Sequence, residues 1–331
     1  MRTRLVLLAL AAAVIAAGCG EKPEPGPNAT ASTEPLRLVL DYFPNADHAG
    51  IYAAQAGGYF KQAGLDVQIR QPADPAAPIK QLAAGRVDLA ISYEPEVLRA
   101  RDEGLNVVSV GAIVRKPLTS IISLPQAKIR KPADLKGKTV GTAGIDYQSA
   151  YLQTILDEAN VPRDTVKERN VGFSLTPALL TGKVDAVLGA FWNYEGVELE
   201  LKGKRPRIIR MEQAGVPTYD ELVLVANADA LDRDGDKIRA FIGALSRGVR
   251  DLRADPEKGT EGLLEANPDL DPKLTRAEVD ATLPLLSNSG EMNAPEWADF
   301  IAWMRQNALI ASEPAPSQVL SNGYLPGRIP E

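Results

Sequence analysis

Gly85-Arg86-Val87-Asp88-Leu89-Ala90 and Gly182-Lys183-Val184-Asp185-Ala186-Val187 stand as near-copies in the two halves of the chain. In each, a glycine closes a short helix and a Val-Asp pair opens an apolar run fit for a buried strand. One helix–glycine–strand unit used twice, in equivalent places, points to two related lobes.

Around each copy the elements alternate. Before and after the first come a strand at Leu36–Leu40, a helix at Ala49–Ala56 stopped by Gly57-Gly58, and a strand at Leu65–Ile69. A helix at Ile79–Ala84, the strand Val87–Ile91, a helix from Pro95 to Glu103 and a strand at Val107–Val114 complete the set. Around the second copy the pattern restarts, with a strand at Thr139–Gly141, a helix at Gln148–Glu158, a short helix capped by Ser174 and the strand Val184–Leu188. A strand at Glu221–Ala226 and amphipathic helices near Ala230–Arg253, Arg276–Leu286 and Pro295–Asn307 follow. This order calls for an α/β fold, with mixed, mostly parallel sheets and helices on both faces. We expect 36–122 and 224–310 to form lobe 1, 123–223 lobe 2, and 311–331 a C-terminal tail. Two crossings, near Ile121–Pro125 and Tyr219–Ala226, would make a clamshell with its cleft at the strand carboxyl ends.

At the amino end, Arg2 and Arg4 precede an apolar run from Leu5 to Ala17. That run is about 13 residues, a signal-peptide core rather than a span of about 20. Ala16-Ala17-Gly18-Cys19 resembles a bacterial lipobox, so residues 1–18 read as a lipoprotein signal and Cys19 as the lipidated amino terminus. The stretch 19–35, rich in Pro, Glu, Ala, Ser and Thr, reads as a flexible tether. The expected place is extracytoplasmic, lipid-anchored to a cell membrane, either periplasmic or on the outer face.

Composition narrows the chemistry. A net charge of −6 with no basic stripe argues against nucleic-acid binding. The chain has one cysteine and one histidine, His48, which argues against catalytic zinc. No Gly-x-Ser-x-Gly elbow supports serine hydrolysis. Leu231–Asp236 lacks the spacing of a calcium loop and reads as a helix-entry turn. Neither a metal nor a cofactor is expected.

Polar and aromatic residues gather where strands end. Asp41-Tyr42-Phe43-Pro44-Asn45-Ala46-Asp47-His48 follows the first strand, making Asn45 and His48 cleft candidates and Asp47 a helix cap. A buried structural role for His48 stays open. Tyr93 ends the strand of the first repeat, and Phe191-Trp192-Asn193-Tyr194-Glu195 holds the corresponding place in the second. Facing aromatics would form a slot for a flat ring, with Glu195 accepting hydrogen bonds from an amino-substituted heterocycle. At least one of Phe191 and Trp192 reads as core. Small residues around Gly144 would expose helix-terminal N–H groups to a ligand. Trp297 and Trp303 read as packing.

Leu40-Asp41-Tyr42-Phe43-Pro44-Asn45-Ala46-Asp47-His48-Ala49-Gly50-Ile51-Tyr52 resembles the opening of the ThiY-type thiamine-pyrimidine binding proteins, whose superfamily also holds thiamine-pyrimidine synthases. Ser92-Tyr93-Glu94-Pro95, Lys131-Pro132-Ala133-Asp134-Leu135-Lys136-Gly137, Trp192-Asn193-Tyr194-Glu195 and Tyr219-Asp220-Glu221-Leu222 extend the likeness. The resemblance implies a type II periplasmic-binding-protein clamshell that delivers a formylaminopyrimidine-like ligand to an ABC permease with its ATPase. It implies that the ring lies between aromatics and that Glu195 reads an exocyclic amine. Departures fall at Tyr42, where Trp is common, at Tyr194, where His is common, and at Glu94, where Gln is frequent. The candidate ligand-binding set is therefore Asp41, Tyr42, Asn45, His48, Tyr93, Glu94, Gly144, Tyr147, Trp192, Asn193, Glu195 and Glu221. Riboflavin, an alkylsulfonate or nitrate are alternative ligands, and a pyrimidine-synthase-like enzyme is the alternative of another class. The synthases resemble the chain at His48 but carry a cysteine-rich iron-binding motif. A monomer is expected.

Overall fold

In the computed structural model, which describes residues 35–327, the chain forms two five-stranded sheets flanked by helices. The signal segment 1–18, Cys19 and the tether ahead of Pro35 lie outside the described residues. The first half runs β1 (Leu36–Val39), α1 (Ala49–Ala56), α2 (Tyr59–Gln62), β2 (Val67–Arg70), α3 (Pro78–Ala83), β3 (Leu89–Ser92), α4 (Glu94–Asp102) and β4 (Val107–Val114). The second runs β5 (Thr119–Ser123), β6 (Thr139–Thr142), α5 (Asp146–Glu158), β7 (Lys167–Asn170), α6 (Leu175–Leu180), β8 (Ala186–Phe191), α7 (Glu195–Leu201) and β9 (Arg207–Arg210). Then β10 (Leu222–Asn227) returns to the first sheet, followed by α8 (Leu231–Ala254), α9 (Pro256–Ala266), α10 (Pro272–Thr282) and α11 (Ala294–Gln306).

Strand order is β2-β1-β3-β10-β4 in one sheet and β7-β6-β8-β5-β9 in the other, the same plan twice. In each, three strands pair in parallel, and the strand entered straight from a lobe crossing runs against its neighbours. The repeated hexapeptides explain part of this symmetry. Gly85 and Gly182 take φ of 68° and 69°, a left-handed turn that suits glycine and ends the helix before each copy. Asp88 then accepts the Arg37 N–H at 2.7 Å while its own N–H donates to the Arg37 carbonyl. Asp185 treats Thr139 the same way, accepting its N–H at 2.8 Å. Each copy stops a helix and clamps the next strand onto the start of β1 or β6. Every residue of β3 and β4 is buried, as continuous apolar runs covered on both faces require.

Several expectations shift. Thr119–Ser123 lies within the second sheet, between β8 and β9, so the first crossing falls ahead of Thr119 rather than inside 121–125. Ser174 makes no side-chain cap, and α6 starts without one. β7 and β9 are charged edge strands, Lys-Glu-Arg-Asn and Arg-Ile-Ile-Arg, with little apolar signal. α9 contains Gly259 and Gly262, which look like breakers but let the helix press against Leu252 and Tyr52. The C-terminal residues add to the outer edge of β4, where Ser109 donates to the Val319 carbonyl at 2.9 Å. Among the described residues, no helix is long and apolar enough to cross a membrane.

Candidate functional site

Both lobes belong to one compact unit, and a small cavity lies where the carboxyl ends of their strands meet. The first lobe contributes Asp41, Tyr42 and Asn45 from the loop after β1, and Tyr93 from the end of β3. The second contributes Ala143, Ile145, Tyr147 and Gln148 around the start of α5, and Gly189, Phe191, Tyr194 and Glu195 from β8 into α7.

Local sequence sets each side chain. Asn45 is the cap of the turn 46–48, its Oδ1 accepting the Asp47 N–H at 2.8 Å. The Asn45 N–H donates to His48 Nδ1 at 3.2 Å, so Nε2 carries the hydrogen that goes to Asp41 Oδ1 at 2.8 Å. Asp41 Oδ2 accepts the Tyr93 hydroxyl at 2.8 Å. Both Asp41 oxygens are thus engaged, and the carboxylate holds the Tyr93 ring against the cavity. Glu195 opens α7, and its Oε2 accepts the Phe191 N–H at 2.7 Å. Gln148 Oε1 accepts the Ala143 N–H at 2.8 Å, so that amide is already satisfied and does not await a ligand.

Burial decides the electrostatics. It pushes the Glu195 carboxyl up to about 8, so the group is largely protonated at neutral pH and can both donate and accept. It raises the Tyr42, Tyr93, Tyr147 and Tyr194 hydroxyls as well, keeping them neutral. No Lys, Arg or His lines the cavity.

Of the candidate set, Asp41, Tyr42, Asn45, Tyr93, Tyr147 and Glu195 come together here. His48 is fully buried beneath the cavity and serves Asp41. Asn193 is likewise buried, donating from Nδ2 to Asp47 Oδ1 and Thr282 Oγ1, both at 2.7 Å. Asp47 is therefore a cross-lobe acceptor, not a helix cap. Trp192 turns away, its Nε1 donating to the Pro117 carbonyl at 3.3 Å under the Arg210 guanidinium, 4.2 Å from the ring. Gly144, with φ of 81°, sits behind Ala143, where a Cβ would meet Asn170 Nδ2 at 2.2 Å.

Glu94 and Glu221 belong to the crossings. Glu221 Oε2 accepts the Leu118 and Thr119 N–H groups at 2.6 and 2.7 Å and the Tyr219 hydroxyl at 3.0 Å; Oε1 accepts Thr119 Oγ1 at 2.8 Å. One carboxylate thereby ties the first crossing to the second. Glu94 accepts the Asp220 N–H at 2.7 Å, and Trp297 Nε1 donates to Asp220 Oδ2 at 2.8 Å. Trp303 packs its ring edge-on to Tyr151 at 5.9 Å. Ala143, Ile145, Gln148, Gly189, Phe191 and Tyr194 also line the cavity but stand outside the candidate set. Phe191 and Tyr194 fall in the aromatic stretch expected to form the slot; the other four carry only the signal of position, flanking the ends of β6 and β8.

The NMT1/THI5-like family model matches residues 45–259. A Haemophilus influenzae protein named for thiamine biosynthesis is 38% identical over 279 residues, covering 84% of this chain and 88% of that one. A formylaminopyrimidine-binding protein of Halalkalibacterium halodurans is 35% identical over 279 residues, 82% of this chain and 84% of its own. The 4-amino-5-hydroxymethyl-2-methylpyrimidine phosphate synthase of Schizosaccharomyces pombe is 23% identical, over 89% and 87%. Among solved structures, the alkanesulfonate-binding protein of Xanthomonas axonopodis pv. citri superposes with a TM-score of 0.67 at 18% identity, over 87% of this chain and 99% of that one. That likeness shows the two-lobed periplasmic-binding fold. With its family model matched from within the β1 loop into α9, the chain belongs to the NMT1/THI5-like family.

Proposed function

We infer that the chain is an extracytoplasmic solute-binding protein that holds a thiamine-precursor aminopyrimidine, of the formylaminopyrimidine kind, and presents it to an ABC permease with its ATPase. The observation that carries this reading is the cavity lining: five aromatic rings (Tyr42, Tyr93, Tyr147, Phe191, Tyr194), two carboxyls (Asp41, Glu195) and no cation. Flat faces suit a planar ring. A carboxyl that donates and accepts at once suits a ring nitrogen beside an exocyclic amine. A lining with two carboxyls and no cation is a poor match for an alkylsulfonate or nitrate.

The relative named as a formylaminopyrimidine-binding protein supports the ligand class. Binding rather than synthesis is supported by the higher identity to that protein than to the synthase. The chain's single cysteine, Cys19, is also too few for the cysteine-rich iron-binding motif of the synthases. Export and anchoring through Cys19, a monomeric state and a role free of cofactor complete the proposal. The ligand would bridge the lobes and favour the closed arrangement, which the permease recognises.

Isothermal titration tests this. Formylaminopyrimidine is expected to bind the wild type, while methanesulfonate and nitrate give no heat. Glu195→Ala should raise Kd by about 10- to 100-fold, the worth of a strong buried hydrogen bond. Sulfonate binding, or unchanged affinity in Glu195→Ala, would overturn the reading.

A further inference from the structure

Outside the cavity, three aromatic residues bring the lobes together. Phe43, in the loop after β1, is 38% exposed, one of two large hydrophobic side chains exposed among the described residues. Phe173, in the loop between β7 and α6, approaches it from the second lobe with ring centroids 4.3 Å apart. Between them and the cavity stands Tyr42, whose ring meets Phe173 edge-on at 4.8 Å and Phe43 at 5.5 Å. Its hydroxyl donates to the Phe173 carbonyl at 2.9 Å, a bond from one lobe to the other. The loop carrying Phe173 is shaped locally, since Asn170 Oδ1 accepts the Gly172 N–H at 2.9 Å.

We propose that Phe43 and Phe173, pinned by the Tyr42 hydroxyl, form a latch between the lobes that retains the bound ligand and sets its rate of release. The proposal rests on the binding reading above. Tyr42 alone of the three lines the cavity, so the ligand seats on its inner side and the latch closes on its outer side. With the lobes apart, both phenyl rings would face water on separate loops. Their contact is an interaction that only the closed arrangement makes, and a ligand leaving the cavity must first wait for it to break. Neither ring touches the ligand seat, so removing one should leave the encounter step nearly unchanged.

The test is stopped-flow binding of formylaminopyrimidine to wild type, Phe43→Ala, Phe173→Ala and the double variant. Each single change should raise koff about three- to tenfold, the range of one aromatic pair, with little change in kon. The double variant should release more slowly than the product of the two single effects predicts, because the two rings share their mutual contact. Ligand-free melting temperatures near wild type confirm that all variants fold. Unchanged koff in both single variants, or fully additive effects, overturns the latch. A ligand-independent arm uses Phe43→Cys/Phe173→Cys in a Cys19→Ser background, treated with a short bifunctional thiol reagent. Cross-linking in the absence of ligand shows that the two loops meet as the latch requires even if the pyrimidine fails to bind, which would remove only the ligand reading. No cross-link in a variant that binds the pyrimidine overturns the latch alone.

Discussion

Glu221 and Asp41 show why a carboxylate near a cleft is hard to read from sequence. Both sit in motifs that resemble a binding family, yet Glu221 spends all its acceptor capacity on the crossings. Asp41 reaches the cavity wall, but its oxygens are taken by His48 and Tyr93. Residue type and motif located these side chains; their direction depended on partners far along the chain, which a single sequence does not display. Glu195 was legible because it follows two aromatics at the end of a buried strand. Replacing Glu221 by Ala leaves two backbone N–H groups and two hydroxyls without their acceptor in a dry seam. Urea unfolding should show a loss of at least about 3 kcal/mol. A loss under about 1 kcal/mol would mean that water or a neighbour readily replaces the carboxylate.

Among elements, the strands and helices flanking the repeat were readable, and β4 and α1 fall where the apolar pattern puts them. The edge strands β7 and β9 were not, since charged residues cover an edge without the alternation that marks a half-buried strand. α9 was hidden by its glycines, which serve packing instead of ending the helix. The same device joins α1 to α8. A Cβ on Gly248 would lie 2.4 Å from the Gly50 carbonyl and 2.5 Å from the Ala54 N. Alanine favours a helix over glycine by about 1 kcal/mol, but here the helices must part to admit it. Gly248→Ala is therefore expected to lose about 1–3 kcal/mol of stability, read from the midpoint of chemical unfolding. A gain would show that the two helices can slide apart freely.

At the scale of the whole molecule, burial holds several carboxyls of both lobes well above the ordinary carboxylate range. Asp47 and Asp220 are pushed up to about 6, Glu195 to about 8 and Glu278 to about 9, each chiefly by burial. The unfolded chain gives up these protons near 3.8 for Asp and 4.5 for Glu. Between those values and the folded ones the folded state binds more protons, so stability falls as pH rises. Thermal melts at constant ionic strength should show the midpoint falling from about pH 4 to pH 9, across the window between the unfolded and folded values. A flat or rising profile across that window would contradict this.

All three tryptophans of the chain stand at joints between the lobes. Trp192 is wedged between Pro117 and Arg210, Trp297 is tied to Asp220 at the second crossing, and Trp303 leans on Tyr151. Indole emission depends on nearby charge, hydrogen bonding and water, all of which change when a joint bends. The unlabelled protein therefore carries its own optical gauge of hinge angle. Phe substitutions taken one at a time would assign each part of the signal to its joint.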